Sequence, residues 1–459
     1  MTSVNSSVKP SNLPPSSKTP AIITAVQFTL DQFGTLEKLH RQYGEIFYIP
    51  APGSLPPSVI FSNPQAIEKV FTTEPDLFEV SQQSTNSVRL MLGDNSMALL
   101  NGREHRRHRK LLMPPFHGER IKSYGQSMVD VTQEVIDQWQ VGQTICIRDH
   151  TQDISLRVIL RTIFGVDQGE RYDRLQTILV DYLNIFNHPL KSLFLYFPWL
   201  QKDLGGLTPW SKFVRQKRQI DHLLQSECDL RRENPDTMGK DILSLLLSAK
   251  DEAGQPMSDA EIKDELMTML FAGHETTASS IAWSFYWLHR LPEVKDKFQA
   301  ELDAMADNTD LAAVAKLPYL SAVVSETLRL QPVVAFVVRQ LKQPWELMGY
   351  QLDAGTSLFP SIHLTHYRED IYPEPKKFKP ERFIEQQFSP YEYLPFGGGN
   401  RRCIGYAFAL YGMKLALATI MSQVELELLE NRPVKSARRG LTFSPAGGVK
   451  MRVKAIKYA

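Results

Sequence analysis

The sequence has few cysteines, almost no net charge and no long hydrophobic run. Three cysteines among 459 residues (Cys146, Cys228 and Cys403) cannot build a disulfide framework and fit a reducing compartment. A formal net charge of +1 gives no electrostatic basis for a nucleic-acid partner. The first 20 residues lack the apolar core of a secretory signal or of a membrane span. We therefore expect a soluble, cytoplasmic globular protein without a transmembrane anchor.

The hydrophobic periodicity predicts a mainly α-helical chain. We expect a flexible arm over residues 1–25 and a single domain over residues 26–459, because no repeat or low-complexity linker interrupts the sequence. Residues 80–101 are expected to be irregular. Helices are predicted at 28–43, 63–71, 118–140, 151–164, 171–186, 208–232 and 258–291, with small strand patches near 45–61 and 333–360.

A glycine-rich turn precedes Cys403, in the run Phe396-Gly-Gly-Gly-Asn-Arg-Arg-Cys403-Ile-Gly405, and an apolar helical pattern follows it. A cysteine at a helix N-terminus meets unpaired N–H groups and the positive end of the dipole, which favour its thiolate. The glycines leave room for a flat ligand. Arg401 would suit a carboxylate on that ligand, and Phe396 could cover the sulfur. The alternatives are a phosphate loop, which would need Gly-Lys-Ser/Thr, and a buried structural cysteine.

This run resembles the haem-binding loop of the cytochrome P450 family, Phe-x-x-Gly-x-Arg-x-Cys-x-Gly, at all five defined positions. The resemblance implies the cytochrome P450 fold: a mainly α, single helical domain with small peripheral β-sheets. Haem b (iron protoporphyrin IX) would lie between the long central helix and the cysteine loop. The thiolate of Cys403 would be its axial ligand, and Phe396, Gly399, Arg401 and Gly405 would contact the cofactor.

The longest predicted helix carries a face of small residues. Ser258-Asp-Ala-Glu261 has the form of a capping box and Pro292 closes the segment. At about 1.5 Å per residue the helix would be roughly 50 Å long. Ala272, Gly273, Thr276 and Ser280 share one face, which a planar ligand could approach closely.

The segment Ala272-Gly273-His274-Glu275-Thr276 resembles the oxygen-activating motif of the same family. The resemblance implies that Ala272 and Gly273 contact the haem, that Thr276 hydrogen-bonds dioxygen and that Glu275 helps to bring protons from water. A hydroxyl next to a carboxylate can relay the protons that O–O cleavage requires. A helix kink in which Thr276 bonds back to a carbonyl is an alternative, and the two are compatible.

Two further patterns resemble parts of the same family. Glu326-Thr-Leu-Arg329, with Arg382 about fifty residues later, resembles the Glu–Arg–Arg triad that braces the cysteine loop. Alone, an acid and a base three residues apart usually form only a surface salt bridge. His105 and Arg109 lie in the densest basic run of the chain and resemble the helix pattern that holds a haem propionate; His105 departs from the family by replacing an aromatic residue. Arg339 matches the other propionate-binding arginine. A solvated helix face is the alternative for the basic run, whose remaining cations (Arg106, Arg107 and Lys110) could face an acidic redox partner.

The resemblance covers roughly residues 30 to 455 and implies a monooxygenase that inserts one oxygen atom from O2 into a C–H bond. Electrons would come from a separate ferredoxin or flavodoxin with its NAD(P)H reductase, since no flavin or iron–sulfur module fits within this length. Two rivals stay open. One is a peroxygenase or hydroperoxide-rearranging haem-thiolate enzyme, and the other is a non-enzymatic haem sensor.

The segments expected to line the substrate pocket are rich in apolar residues, which favours a lipophilic substrate. They are residues 80–100, 183–200, 333–336 and 446–448. The apolar segment 183–200 also fits a peripheral contact with a membrane surface or ordinary core packing. The sequence around Cys403 and the tail from Arg438 look most like a cyanobacterial branch of fatty-acid or alkane hydroxylases, although terpenoids or retinoids would fit too.

Overall fold

The computed structural model describes residues 12–50, 56–81, 85–166, 169–187, 193–195, 197–203, 205–206, 208–234, 239, 241–305 and 310–457. These residues form two compact units. The first contains the described residues of 1–84, 334–377 and 388–403, and the second those of 85–333, 378–387 and 404–459. Helices dominate the described chain and the strands form small separate sheets, as the sequence predicted. The single domain over residues 26–459 stays a prediction.

The helices lie mainly in the second unit. In chain order they are α1 (Ala21–Leu30), α2 (Gln32–Tyr43), α3 (Pro64–Thr72), α4 (Asn86–Leu92), α5 (Gly102–Leu112), α6 (Glu119–Ser123), α7 (Gly125–Ile136), α8 (Ile147–Phe164), α9 (Glu170–Asn187), α10 (Pro209–Glu233), α11 (Ile242–Ser248), α12 (Asp259–Arg290), α13 (Pro292–Asp303), α14 (Leu311–Val314), α15 (Pro318–Leu330), α16 (Ile362–His366), α17 (Arg382–Glu385) and α18 (Tyr406–Gln423).

The strands are short. In chain order they are β1 (Ile46–Ile49), β2 (Ser58–Phe61), β3 (Phe78–Glu79), β4 (Thr144–Cys146), β5 (Arg339–Leu341), β6 (Trp345–Leu347), β7 (Tyr350–Leu352), β8 (Ser357–Pro360), β9 (Val424–Leu428), β10 (Ser436–Arg439), β11 (Thr442–Pro445) and β12 (Lys450–Ile456). The first unit contains a five-stranded sheet in the order β1-β2-β8-β5-β3 and the hairpin β6-β7. The second contains the sheet β4-β12-β9 and the hairpin β10-β11.

The chain ahead of α1 pairs with the edge of the five-stranded sheet. The N–H of Ser17 donates to the carbonyl of Tyr48 at 3.2 Å, and the N–H of Tyr48 donates to the carbonyl of Pro15 at 2.9 Å. Asn12 donates its side-chain amide to the carbonyl of Gly349 at 2.8 Å. The structure therefore differs from the predicted arm over residues 12–25, because backbone pairing to strands orders this segment and α1 already begins at Ala21. Residues 1–11 of that arm lie outside the described residues.

The long helix α12 organises the second unit. The hydroxyl of Ser258 accepts from the N–H of Glu261, and the Glu261 carboxylate accepts from the N–H of Ser258, which completes the predicted capping box. α12 packs most extensively on α8, and Trp283 and Phe285 are fully buried. Its bounds match the predicted helix 258–291 to within one residue at each end. In the part of the chain that the structure describes, no helix is both long and apolar enough to cross a bilayer.

Several predicted elements are divided in the structure. The helix expected over 28–43 breaks at Asp31, whose carboxylate caps α2 by accepting from the N–H of Gly34 at 3.0 Å. The helix expected over 118–140 separates into α6 and α7 at Tyr124. The segment 80–101, expected to be irregular, contains α4.

Candidate active site

The cysteine loop in the first unit is a tight turn closed by backbone hydrogen bonds. The N–H of Cys403 donates to the carbonyl of Phe396 at 3.0 Å, and the N–H of Arg402 donates to that of Gly399 at 3.1 Å. Gly399 has φ +65°, and a Cβ there would lie 2.8 Å from the carbonyl oxygen of Phe71. Only glycine satisfies both conditions. The turn leaves the side chain of Cys403 exposed.

The other two cysteines lie in environments that disfavour a thiolate. Burial raises the pKa of Cys146, and burial raises the pKa of Cys228 to about 11. Cys146 is the last residue of β4, with its sulfur 3.4 Å from the carbonyl oxygen of Gly448. Cys228 lies inside α10. A thiolate ligand is therefore best supplied by Cys403.

Arg339 is a buried cation in the first unit whose hydrogen-bond acceptors, among the described residues, are carbonyl groups. Its side chain is 5% exposed and donates to the carbonyls of Val338 at 2.8 Å and Gly398 at 3.2 Å. Burial, with a contribution from the nearby charge of Arg401, lowers the pKa of Arg339 to about 9. Neighbouring carbonyls do not neutralise a buried charge, so an anionic group placed here would be strongly stabilised. This environment fits a haem carboxylate.

The small-residue segment of α12 contacts its neighbours in two ways. The hydroxyl of Thr276 donates to the carbonyl of Ala272 at 2.7 Å. This is the side-chain bond to the preceding turn that was the alternative expected from the sequence. Gly273 packs against α8: a Cβ added there would lie 2.9 Å from Cδ1 of Ile159. Its carbonyl also accepts from the hydroxyl of Ser155 at 3.1 Å. Close approach of α8 thus explains a glycine that sequence reasoning assigned only to ligand contact.

Glu275 is held by two residues of α8 that sequence reasoning missed. Arg148, only 2% exposed, donates from Nη2 to Oε1 of Glu275, and Gln152 donates from Nε2 to Oε2 at 2.7 Å. Arg148 also donates to Oε1 of Gln152 at 2.9 Å, which links all three side chains. Burial lowers the pKa of the adjacent His274 to about 4, so this imidazole is neutral near pH 7. Since Arg148 and Gln152 are more than 120 residues from Glu275 in the sequence, no local pattern could have identified them.

Glu326, Arg329 and Arg382 meet in the second unit as a buried cluster. Arg329 forms a bidentate pair with Glu326, at 2.6 Å from Nε to Oε2 and 2.9 Å from Nη2 to Oε1. Arg382 donates from Nε to Oε1 of Glu326 at 3.2 Å, and the N–H of Lys379 donates to the same oxygen at 2.8 Å. The surface-pair alternative is thereby excluded, because Glu326 and Arg329 are both fully buried.

The basic run on α5 is largely committed to ion pairs. Arg107 pairs with Asp251 and with Glu261, each at 2.7 Å, and Lys110 pairs with Glu252 at 2.6 Å. The prediction that Arg107 faces outward as a free docking cation is therefore corrected: its carboxylate partners fix it against the start of α12. His105 is buried on the same helix, and Arg109 is half-buried.

A second buried imidazole on α5, His108, was not singled out from the sequence. Its Nδ1 lies 2.7 Å from Oε1 of Glu265 and its Nε2 lies 3.0 Å from Oε1 of Glu261. Burial lowers the pKa of His108, but its hydrogen bonds to the two carboxylates outweigh burial and raise the pKa overall. Glu265 also accepts from the N–H of Met97 at 2.7 Å, so the cluster ties the chain between α4 and α5 to α12.

The predicted substrate segments are only partly within the described residues. In segment 80–100, two backbone carbonyls at the end of α4 accept hydrogen bonds. The hydroxyl of Tyr182 donates to the carbonyl of Met91 and the ammonium group of Lys217 donates to that of Leu90, both at 2.8 Å. In segment 183–200, Phe194 is buried and Trp199 is exposed, whereas residues 188–192 and 196 lie outside the described residues.

The ends of the other two predicted pocket segments lie in ordered contacts. Phe336 packs edge-on against Phe359 in the first unit, with ring centroids 4.9 Å apart. In the second unit, residues 446–448 form a short 3-10 helix after β11.

A cysteine exposed by a glycine turn, an acid–alcohol pair on a long helix and a buried Glu–Arg–Arg cluster are each a feature expected of a haem-thiolate oxidoreductase. The family model for cytochrome P450 matches residues 13–450. The chain belongs to the cytochrome P450 family, and it is a monooxygenase.

Relatives and solved structures agree with this family over nearly the whole chain. Cytochrome P450 135B1 of Mycobacterium tuberculosis is 33% identical over 446 residues, 97% of this chain and 92% of the relative. Cytochrome P450 138 of the same organism is 32% identical over 440 residues, 95% of each chain. The structure of cyanobacterial CYP120A1 bound to retinoic acid matches with a TM-score of 0.83 at 26% identity, covering 97% of this chain and 99% of the other. Cytochrome P450 CYP102L1 matches with a TM-score of 0.82 at 27% identity, covering 97% and 100%.

Proposed function

We propose that the protein hydroxylates a C–H bond of a lipophilic substrate, using dioxygen and electrons from a separate ferredoxin or flavodoxin with its NAD(P)H reductase. The observation that carries the proposal is the exposed thiol of Cys403 in its closed glycine turn. The cofactor would be haem b, which when bound supplies the redox chemistry that activates dioxygen. Cys403 would supply the axial thiolate.

The same proposal assigns the remaining cofactor contacts. Arg339 would neutralise one haem carboxylate. Its burial with only carbonyl acceptors among the described residues supports this role. His105 and Arg109 would hold the other carboxylate. The other contacting residues carried over from the family motifs are Phe396, Gly399, Arg401, Gly405, Ala272 and Gly273.

The acid–alcohol pair would serve proton delivery. The hydroxyl of Thr276 already has one acceptor, the carbonyl of Ala272, and keeps its own oxygen available to accept a hydrogen bond. Arg148 and Gln152 hold Glu275 toward α8. We propose that Arg148 is a positioning residue: its hydrogen bond to Oε1 of Glu275 fixes the orientation of that carboxyl group. Glu326, Arg329 and Arg382 would brace the fold rather than take part in the reaction.

The substrate class is proposed as a fatty acid, alkane or terpenoid. The apolar composition of the predicted lining segments supports a lipophilic compound. One solved relative, CYP120A1, is described with bound retinoic acid, which is itself lipophilic and carries a carboxylate. The test is a titration of the haem-loaded protein with fatty acids, alkanes, terpenes and retinoids while the Soret band is followed. A shift to high spin with one class would identify it, and no shift with any class would contradict the proposal.

The role of Cys403 has a spectroscopic test. The reduced protein with carbon monoxide should give the red-shifted absorption of thiolate coordination. Cys403→Ser should lose that band, whereas Cys146→Ser, which changes a cysteine outside the loop, should keep it. Retention of the band by folded Cys403→Ser would contradict the ligand assignment.

Proton delivery separates the monooxygenase from a peroxide-using enzyme. Thr276→Ala should divert electrons from product to peroxide under NADPH, ferredoxin and reductase, because the relay loses its hydroxyl. The measured quantity is product formed per NADPH consumed. Unchanged coupling, together with faster turnover on added hydrogen peroxide, would favour the peroxygenase alternative.

A further inference from the structure

Four of the ten residues that line a surface cleft in the second unit have basic side chains. The cleft has a volume of about 600 Å³ and is formed by α9 and the first half of α10. Arg174 comes from α9, and Arg215, Arg218 and His222 come from α10. Positions 215, 218 and 222 are three and four residues apart, so their side chains share one face of α10. Three guanidinium groups and an imidazole from two helices therefore line the same cleft, which we call the basic cleft.

The three arginines of the basic cleft have no anionic partner among the described residues. Neither a hydrogen bond nor an ion pair is formed there by Arg174, Arg215 or Arg218. Arg171, three residues before Arg174, does pair, with Glu227 at 3.1 Å. Arg171 therefore has a carboxylate partner, whereas the three arginines of the cleft have none in the part of the chain that the structure describes.

Two acids of α10 already have cationic partners, and the carboxylate that lines the cleft has hydrogen-bond donors. Glu227 accepts from Arg231 at 2.8 Å in addition to Arg171, and Asp221 pairs with Lys263 at 3.1 Å. Asp203, the carboxylate among the described lining residues, accepts from the hydroxyl of Ser211 at 2.6 Å. It also accepts from the N–H of Gly205 at 3.2 Å. The cleft thus keeps an excess of positive charge.

This arrangement costs stability unless an anion occupies the cleft. Like charges at positions three apart on a helix repel each other, as Arg215 and Arg218 do. Arg174, Arg215 and Arg218 are all exposed. An anion of modest size can therefore reach the guanidinium groups.

We propose that the basic cleft binds a phosphate group, carried by a soluble phosphorylated compound or by a lipid headgroup. The planar guanidinium fork matches phosphate oxygens in a bidentate manner, and several forks around one group give both affinity and orientation. The volume of the cleft lies within the range typical of small-molecule sites, so it accommodates more than the phosphate alone. The site is separate from the cofactor residues and independent of the proposed hydroxylation.

The test uses pyrophosphate as the probe and the haem-loaded full chain at low salt, with binding measured by titration calorimetry. The variant R174Q/R215Q/R218Q should bind at least tenfold more weakly, because it removes the three unpaired cations. The control K38Q/K316Q/R432Q removes three exposed cations elsewhere, with the same change of net charge. It should bind within twofold of the wild type. Equal affinity of the cleft variant and the wild type, or an equal loss in the control, would overturn the proposal.

A second measurement guards against misfolding of the triple variant. Pyrophosphate should raise the melting temperature of the wild type and of the control, since a ligand that binds only the folded state stabilises it. Arg218→Gln alone should reduce that rise. The same rise in wild type and Arg218→Gln would contradict the site.

The two sources of phosphate are distinguished with glycerol 3-phosphate and with vesicles. Vesicles of phosphatidylglycerol are compared with vesicles of phosphatidylcholine by co-sedimentation. Arginine-dependent binding of glycerol 3-phosphate without vesicle binding supports a soluble ligand. Arginine-dependent binding of phosphatidylglycerol vesicles supports a lipid headgroup, and binding to none of these probes overturns the proposal.

Discussion

Arg148 and Glu275 form a buried ion pair that joins α8 to α12 at the acid of the oxygen-activating segment. Arg148 is 2% exposed, and its Nε has no hydrogen-bond partner among the described residues, so its charge is balanced mainly by the Glu275 carboxylate. Gln152 bridges both members of the pair. The position of Glu275 is therefore set by a helix other than its own.

Removing the Arg148 cation of this pair should destabilise the folded protein. Arg148→Met leaves Glu275 largely buried beside an apolar group, and we expect a loss of about 3 kcal/mol in the free energy of unfolding. The double variant R148M/E275L should recover part of that loss, because no unpaired charge remains. Chemical denaturation followed by circular dichroism checks both values. Equal destabilisation by the single and the double variants would show that the pair has no specific role.

The Glu326 cluster should show the largest single effect in the second unit. Glu326→Leu leaves Arg329 and Arg382 buried without their carboxylate, which should cost about 4 kcal/mol. Lys297→Ala, which breaks an exposed pair with Glu381, provides the control and should unfold near the wild-type midpoint. Similar unfolding midpoints for the two variants would contradict the expected stability cost of removing the Glu326 carboxylate.

Gly273 should tolerate a side chain once Ile159 is shortened. Alanine at 273 gains about 1 kcal/mol of helix propensity, but its Cβ meets Cδ1 of Ile159 and the gain is offset. In the background Ile159→Val that methyl group is absent, so Gly273→Ala should stabilise the protein by about 1 kcal/mol. The comparison is G273A in the two backgrounds by thermal denaturation. A destabilising effect in both would mean that Gly273 is required for another reason.

Stability should fall as pH rises because of His108. Its folded-state pKa is raised, so its contribution to stability is present in full below the unfolded pKa of about 6.5. The contribution is lost as pH rises through the folded-state pKa. His108→Gln should abolish this decline. The free energy of unfolding of both proteins is measured between pH 6 and pH 9.

The groups around His108 set the interpretation of that experiment. Glu261 and Glu265 face the imidazole from α12, and Arg107 of α5 pairs with Glu261. Burial raises the pKa of Glu265, whereas at Glu261 burial is outweighed by the hydrogen bonds from Ser258 and His108, which lower its pKa. An identical decline in wild type and variant would assign the effect to another group.

The sequence predicts most of the helical framework because the signals are local. The capping box at Ser258 and Glu261 places the start of α12 correctly, and apolar positions spaced three and four residues apart place α8, α9 and α10 to within a few residues. The sheet β4-β12-β9 was not predicted. Its pairing of β12 with β4 joins segments that are distant in the chain, such as Lys450 and Cys146, and no local pattern specifies it.

The candidate site divides in the same way. Short sequence motifs contain Cys403, Gly399 and the acid–alcohol pair. The residue types in these motifs are enough to indicate their chemistry. Arg148 and the true partners of Arg107 are fixed by packing of helices that are far apart in sequence. Gly273 was recognised but only half explained, because the need for a missing side chain lies in Ile159 of another helix.

The strand β1 is the outer member of the five-stranded sheet, and residues 15–17 occupy its open side. Removing residues up to and including Ser17 would expose the backbone N–H and C=O groups of β1. An exposed edge strand of this kind can pair with a strand of another molecule. Purification tags and shortened versions of this enzyme should therefore leave everything from Asn12 onward intact if they are to remain dispersed at high concentration.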